Sequence, residues 1–474
     1  MDPPAIVSLS QSRAWRALVE PVVRHAGWFG FFLVLAPIIG PRGYGLFVMG
    51  LSGVAIVEAL LAETIAGALA ALADLEPLDD RHVSTALISV IAAGALISLM
   101  LYAAGGALGA MLDEATLGDI LRSLSLLPVL GGLAAVPTAL LRRRGKHGPF
   151  IAATTGGLAA GGLVAVALAW AGAGPWSLVA QIVVQRFVEC AVLWGMAARR
   201  IGLVWSRPHF TALLSAADLR AIAAIWPVVA RQAPCLLIGL SLGPVASGLY
   251  MLAARFPEAL SDILLAAPKP PRRALLAIWA DDIGSCVRRV ALPAILASTL
   301  LAVALPPLVD MRWWGAVLPS QILLLGLIPA AMVAAREAAV GSRNEARWQA
   351  VQALGGIVVL GLVAPHGLVA IAAALLGYAT VAALVGLAPL RHELGRYWIR
   401  AITAVMRPVG AAMAAGLVLY VMAEPVSLAL APLPALCLLC ASGRLCYLLA
   451  GGEPPGAPRL GLAFRRWFSP ANPA

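Results

Sequence analysis

Arg142-Arg143-Arg144-Gly145-Lys146 stands between two apolar runs, 124–141 and 149–171. Four cations beside segments of bilayer length mark the cytoplasmic turn of a membrane hairpin. Arg142, Arg143, Arg144 and Lys146 are therefore read as topology anchors, and every other loop takes its side by counting from them. As a solvated run in a soluble protein the stretch fails, because its flanks are too long and too apolar.

The composition agrees. The chain has 474 residues, 61% hydrophobic and 12% charged, with a mean hydropathy of +0.91. A soluble domain carries about 25% charged residues, so this chain lacks the polar side chains to cover a water-facing surface. The apolar segments have helix length and no alternation, which excludes a transmembrane barrel. The net charge of +11 lies in cytoplasmic turns facing anionic headgroups, so no nucleic-acid partner is expected. Residues 1–16 show no removable signal peptide. No disulfide, metal or cofactor is expected. Cys437-x-x-Cys440 lacks a second ligand pair, and Gly157-x-x-x-Gly161 reads as a close helix contact.

A span needs about 20 apolar residues. Fourteen fit: 18–39, 44–66, 84–111, 120–141, 149–171, 175–197, 221–242, 244–267, 290–309, 314–335, 348–364, 367–389, 401–423 and 426–449. A twelve-helix count that merges two weaker spans is the alternative. With the N-terminus inside, 25 of the 34 Lys and Arg fall in inner segments and 3 at the outer side. Both termini are therefore expected in the cytoplasm.

Gly40-Pro41-x-x-Tyr44-Gly45-Leu46-Phe47 is echoed by Gly243-Pro244-x-x-Ser247-Gly248-Leu249-Tyr250. Ser177-Leu178-Val179-Ala180 is echoed by Gly367-Leu368-Val369-Ala370. Each echo falls six helices on, an even number, which implies a parallel repeat. The expected fold is thus an all-α polytopic membrane protein. Its parts are a six-helix bundle (1–197), a cytoplasmic linker (198–220), a second six-helix bundle (221–390), two extra helices (391–450) and a basic tail (451–474).

Charges at membrane depth face a cavity or a partner. Arg186, Arg231 and Arg255 lie roughly 16 Å from a helix end at 1.5 Å per residue, near mid-membrane. Arg255, Glu258 and Asp262 share one face by their i, i+3, i+7 spacing, and Arg186 and Glu189 are i, i+3. Arg231 has no carboxylate at helical spacing in its own span. Arg24 and His25 sit in the inner third of the first span. Glu58 and Glu63 lie on the second, Glu58 being read as an ion site or a partner for Arg24. The candidate cavity is thus Arg24, Arg186, Arg231 and Arg255, with Glu58, Glu63, Glu189, Glu258 and Asp262 as ion-coupling groups or charge partners. No catalytic arrangement or nucleotide-binding loop is visible.

The first hairpin, together with Asp80-x-His82-x-Ser84-Thr85-Ala86, Val136-Pro137-x-Ala139-Leu140-Leu141-Arg142-Arg143 and Gly174-x-Trp176-Ser177-Leu178-Val179-Ala180-Gln181, resembles oligosaccharide flippases of the polysaccharide transporter family, in the MOP flippase superfamily. The likeness is good over about 1–260 and looser afterwards. Family members often carry an Asp before the Ile-Gly of the seventh helix. Here that stretch reads Arg231-Gln232-Ala233-Pro234-Cys235, so no role of that Asp carries over.

The resemblance implies a non-enzymatic carrier of undecaprenyl-diphosphate-linked oligosaccharide in the bacterial inner membrane. It would serve lipopolysaccharide or exopolysaccharide assembly, beside a polysaccharide polymerase and a chain-length regulator. Two alternatives remain. An ion-coupled multidrug-type antiporter of the same superfamily needs an acidic cavity. A membrane polysaccharide polymerase needs a sizeable outer loop, and none is present.

Overall fold

The computed structural model describes residues 3–75, 79–143, 148–197, 204–216, 225–264, 305–339, 342–387 and most of 290–301, with the backbone alone over 3–20. All regular structure among them is helical. Arg144, Lys146, residues 391–450 and the 451–474 tail lie outside the described residues. Among those described, eight helices are long and apolar enough to cross a membrane.

The first helix, α1 (Pro3–Leu75), is broken at Gly40, where φ is 71° and ψ 170°. Only glycine reaches that left-handed region cheaply. Pro41 then opens the second arm at a position where a helix has no use for an N–H. The echo repeats this conformation. Gly243, with φ 88° and ψ 173°, ends α8 (Trp226–Leu242), and Pro244 starts α9 (Pro244–Leu264). The repeated Gly-Pro is a stop-and-restart signal used at both hairpins.

Between these lie α2 (Asp80–Met111), α3 (Ala115–Leu124), α4 (Leu127–Arg143), α5 (Gly148–Trp170), α6 (Trp176–Ala197) and a short α7 (Arg207–Ala216). The span expected over 120–141 is thus two helices, α3 and α4, with a joint at Ser125–Leu126. Asp79 caps α2 by accepting from the Asp80 amide at 2.6 Å. After α9 come a 3-10 turn (Met311–Ala316), α10 (Val317–Leu325), α11 (Leu327–Ala339), α12 (Ser342–Val363) and α13 (Leu368–Leu387). Leu99, Met100, Leu163, Phe187, Leu362 and Val381 are exposed. A periphery of large apolar side chains suits hydrocarbon rather than water.

Helices α1 to α6 pack on one another, as α8 to α13 do, and α1 packs against α8 and α9 to join the two groups. The echoed hairpins meet there reciprocally. A Cβ on Gly45 would fall 1.7 Å from the Pro244 carbonyl oxygen, and one on Gly248 would fall 2.1 Å from that of Pro41. Neither position admits a side chain without moving backbone.

Trp313 completes the seal on this side. It is fully buried, edge-on to Phe32 at 5.0 Å and Tyr44 at 5.4 Å. Its Nε1 donates to the Ala36 carbonyl at 3.3 Å. Arg312 Nη2 donates to the Pro37 carbonyl at 2.6 Å. A helix would satisfy that carbonyl from residue 41, but Pro41 has no N–H to give. The guanidinium of the second group stands in for it.

The linker is more ordered than a plain connector. Leu213 of α7 is buried among the ends of α1, α2 and α4. The Val204 and Ser206 amides donate to Ser84 Oγ at 3.5 Å and Thr85 Oγ1 at 3.2 Å. The Ser84-Thr85 motif at the start of the third span is therefore a dock for the linker. On the α5–α6 face, Gly157 and Gly161 lie against the carbonyls of Gln185 and Gln181, as their spacing suggested.

Candidate functional site

Below the Gly-Pro seal the two helix groups part and leave a cavity of about 430 Å³. Its wall comes from both arms of α1, from α6, and from α8 and α9. Helical spacing explains the membership. Arg24, His25 and Trp28 share one turn-wide stripe of α1, as do Gln181, Gln185 and Arg186 on α6, Arg231, Gln232 and Cys235 on α8, and Arg255, Glu258 and Asp262 on α9.

Arg24, Arg186, Arg231 and Arg255 all line this cavity. Their partners differ. Arg255 Nη1 donates to Glu258 at 3.1 Å on its own helix, and its guanidinium lies 5.0 Å from the Trp28 ring centroid. Arg186 Nη1 donates to Glu189 at 3.2 Å, while Arg186 Nε stands 3.6 Å from Glu58. Glu58 is buried behind it and is Arg186's partner rather than Arg24's. Arg231 has no ion pair among the described residues. Glu63 neither lines the cavity nor pairs with these arginines among the described residues.

Asp262 departs from its expected role. It shares a helix face with Arg255, yet its Oδ2 accepts from Arg24 Nη2 at 2.6 Å and meets His25 Nε2 at 3.0 Å. Both belong to the opposite helix group. The α9 stripe therefore divides, Glu258 serving its own helix and Asp262 crossing the cavity mouth. Arg24 and Asp262 lie about 24–28 Å along α1 and α9 from Gly40 and Gly243. They tie the groups at the end remote from the Gly-Pro seal.

The charges nearly balance. Arg186 faces two carboxylates, Arg255 and Arg24 one each, and Arg231 none among those described. The cationic surplus is local, around Arg231, and not general as the four arginines alone suggested.

Sequence reasoning passed over the glutamines. Gln232 accepts from the buried Ser52 Oγ at 3.2 Å, which leaves its amide N–H groups without a partner among the described residues. Gln185 donates to Glu189 at 2.9 Å and keeps its carbonyl oxygen available. With Gln181 they give a neutral hydrogen-bonding wall opposite Trp28 and Phe31. The signal was present: three amides inside apolar spans each cost several kcal/mol, less than a charge, unless something hydrogen-bonds them.

Among the described residues the fold is all-helical, with two packed helix groups around a cavity between them. The full-chain fold matches a structure described as lipid II flippase MurJ in an inward closed conformation. The TM-score is 0.63 at 11% identity, covering 98% of this chain and 99% of that one. It also matches an inward-facing multidrug resistance MATE family transporter of the MOP superfamily, with a TM-score of 0.59 at 13% identity, over 81% of this chain and 98% of that one.

Residues 34–269 match the family described as polysaccharide biosynthesis protein. The succinoglycan biosynthesis transport protein ExoT of Rhizobium meliloti (strain 1021) is 26% identical over 260 residues, covering 52% of each chain. The match thus spans about half the length of that relative. The resemblance to polysaccharide transporters agrees with the family match over residues 34–269, and the fold is the one seen in those flippase and transporter structures. The matches point to a transporter rather than an enzyme.

Proposed function

We propose that this protein carries undecaprenyl-diphosphate-linked oligosaccharide repeat units from the cytoplasmic to the periplasmic leaflet of the bacterial inner membrane, for lipopolysaccharide or exopolysaccharide assembly. The observation that carries the reading is the cavity between the two groups, lined by Arg24, Arg186, Arg231 and Arg255, with Arg231 lacking a carboxylate partner among the described residues. A diphosphate is the chemistry such a site fits. Charge-assisted hydrogen bonds from guanidinium groups offset the hydration the phosphates lose. The glutamine wall offers donors and acceptors to sugar hydroxyls, and the polyprenyl tail stays in lipid.

The lysine and arginine distribution supports an orientation with the Gly-Pro turns outside, the Arg24–Asp262 tie inside and both termini cytoplasmic. On this reading the layout is two parallel six-helix bundles, 1–197 and 221–390. Alternating access then consists of rocking one bundle against the other about the cavity. The printed activities of ExoT, a succinoglycan transport protein, and MurJ, a lipid II flippase, support this reading. A cation-exporting drug antiporter needs an open carboxylate. Here the cavity carboxylates Glu258 and Asp262, and Glu58 and Glu189 behind them, each face an arginine.

Deleting the protein should make lipid-linked oligosaccharide accumulate on the inner leaflet without changing drug sensitivity. Unchanged glycan export with altered drug sensitivity would reverse the choice.

A further inference from the structure

Asp262 differs from Glu58, Glu189 and Glu258 in that its bond crosses from one helix group to the other, whereas Glu58 reaches Arg186 within its own group. Glu258 and Glu189 each hold an arginine three residues away on their own helix. Asp262 instead draws Arg24 and His25 to a single oxygen, at 2.6 and 3.0 Å, from the opposite helix group. Consecutive residues on a helix diverge by about 100°. Two of them converge on one atom only where an acceptor sits in the groove between their directions. Two basic groups from α1 thus converge on one oxygen of an acidic group from α9, an arrangement suited to an anion larger than a carboxylate.

We propose that Asp262 is an internal stand-in for the diphosphate headgroup. It occupies Arg24 and His25 while the cavity is empty, and an entering diphosphate displaces it. This rests on the functional reading above and adds a device to it. The Arg24–Asp262 contact is also a tie between the two helix groups, so displacement frees one group from the other. The cargo headgroup opens the tie that keeps an empty carrier from cycling. Exposure makes the exchange feasible. The side chains of Arg24 and Asp262 are 42% and 32% exposed, so the pair is a weak, solvent-screened tie. A diphosphate brings more charge and more acceptor oxygens to the same donors. A ligand shifts the equilibrium between two arrangements only by its differential affinity for them, and competition for Arg24 supplies that difference.

The test uses the full chain in nanodiscs, with binding measured for inorganic pyrophosphate and for farnesyl diphosphate. Asp262→Asn keeps the side chain's size and removes its charge. It should bind both probes about fivefold more tightly than wild type, the factor matching a part-exposed ion pair. Asp262→Glu, which keeps the competitor, should stay close to wild type, and Arg24→Ala should bind more weakly than either. Asn and wild type binding alike would overturn the stand-in while leaving the carrier reading intact. Equal tightening in Asp262→Glu would also overturn it, since charge would not be the cause. Binding of farnesyl diphosphate without inorganic pyrophosphate would place the affinity in the tail. If neither variant nor wild type binds either probe, the diphosphate reading of the cavity fails with it.

Discussion

Pro41 and Gly248 meet backbone to backbone: the Pro41 carbonyl oxygen stands 2.1 Å from where a Gly248 side chain would begin. Pro244 and Gly45 make the same contact in reverse. The two copies of the Gly-Pro hairpin thus serve as each other's partner. A methyl group in either position acts as a wedge between the helix groups. Overpacking a well-packed interface costs about 1–3 kcal/mol, enough to shift a two-state equilibrium by a factor of 5 or more. Gly248→Ala should therefore open this side. A cysteine in place of the buried Ser247 should then react with maleimide from that face, and should stay protected when Gly248 is intact.

Trp313 and Arg312 seal the same side by other means. Trp313→Ala removes a large buried ring and its bond to Ala36, a change of about 3–5 kcal/mol in a core. Arg312→Ala strands the Pro37 carbonyl and should cost about 1 kcal/mol. Thermal unfolding in nanodiscs should rank them in that order. The Arg312 guanidinium, bonded to Asp310, also holds that exposed carboxyl below its usual range. A lowered value means the contribution is present at neutral pH and lost only as pH falls through the lowered value. The Arg312 clamp should therefore be as effective at pH 5 as at pH 7.

Arg186 and Arg231 should fail differently when removed. Arg186→Ala leaves Glu58 buried without its cation, and breaking such a pair costs on the order of 3 kcal/mol. The expected result is less folded protein, recovered by adding Glu58→Gln. Arg231→Ala breaks no ion pair among the described residues, so folded protein should persist at the wild-type level. Fluorescence-detected size exclusion on both variants and the double variant separates the two cases.

The linker dock is testable by hydrogen exchange. Thr85→Ala removes the acceptor for the Ser206 amide, about 1 kcal/mol. Exchange over 204–216 should speed up roughly fivefold while the spanning helices stay as protected as before. Unchanged exchange would mean that the Thr85 bond is not what holds α7, leaving Leu213 and the Ser84 bond to do so.

Much of this architecture is legible in the chain. The cation cluster at 142–146 and the bias of the remaining lysines and arginines follow from the cost of moving charge across hydrocarbon, which acts on each loop separately. Gly40 and Gly243 announce the hairpins because a positive φ and a following proline are local demands. Asp262 could not be read in the same way. Its spacing ties it to Arg255 and Glu258, and nothing nearby in sequence records that α1 crosses in front of it and offers Arg24 and His25. That Glu58 meets Arg186 is hidden for the same reason, since which helix lies behind which is a tertiary fact. The glutamines stand out less in sequence because they carry no charge, although a polar amide in an apolar span also calls for a partner.

The central claim is that the guanidinium groups of this cavity carry a diphosphate headgroup across the bilayer. It is tested most directly with the full chain reconstituted in vesicles, following the accessibility of a fluorescent polyprenyl-diphosphate oligosaccharide to an external quencher. Wild type should equilibrate the lipid between leaflets, and Arg231→Ala, inserted and folded to the same level, should be at least tenfold slower. Equal rates for the two proteins would contradict the account.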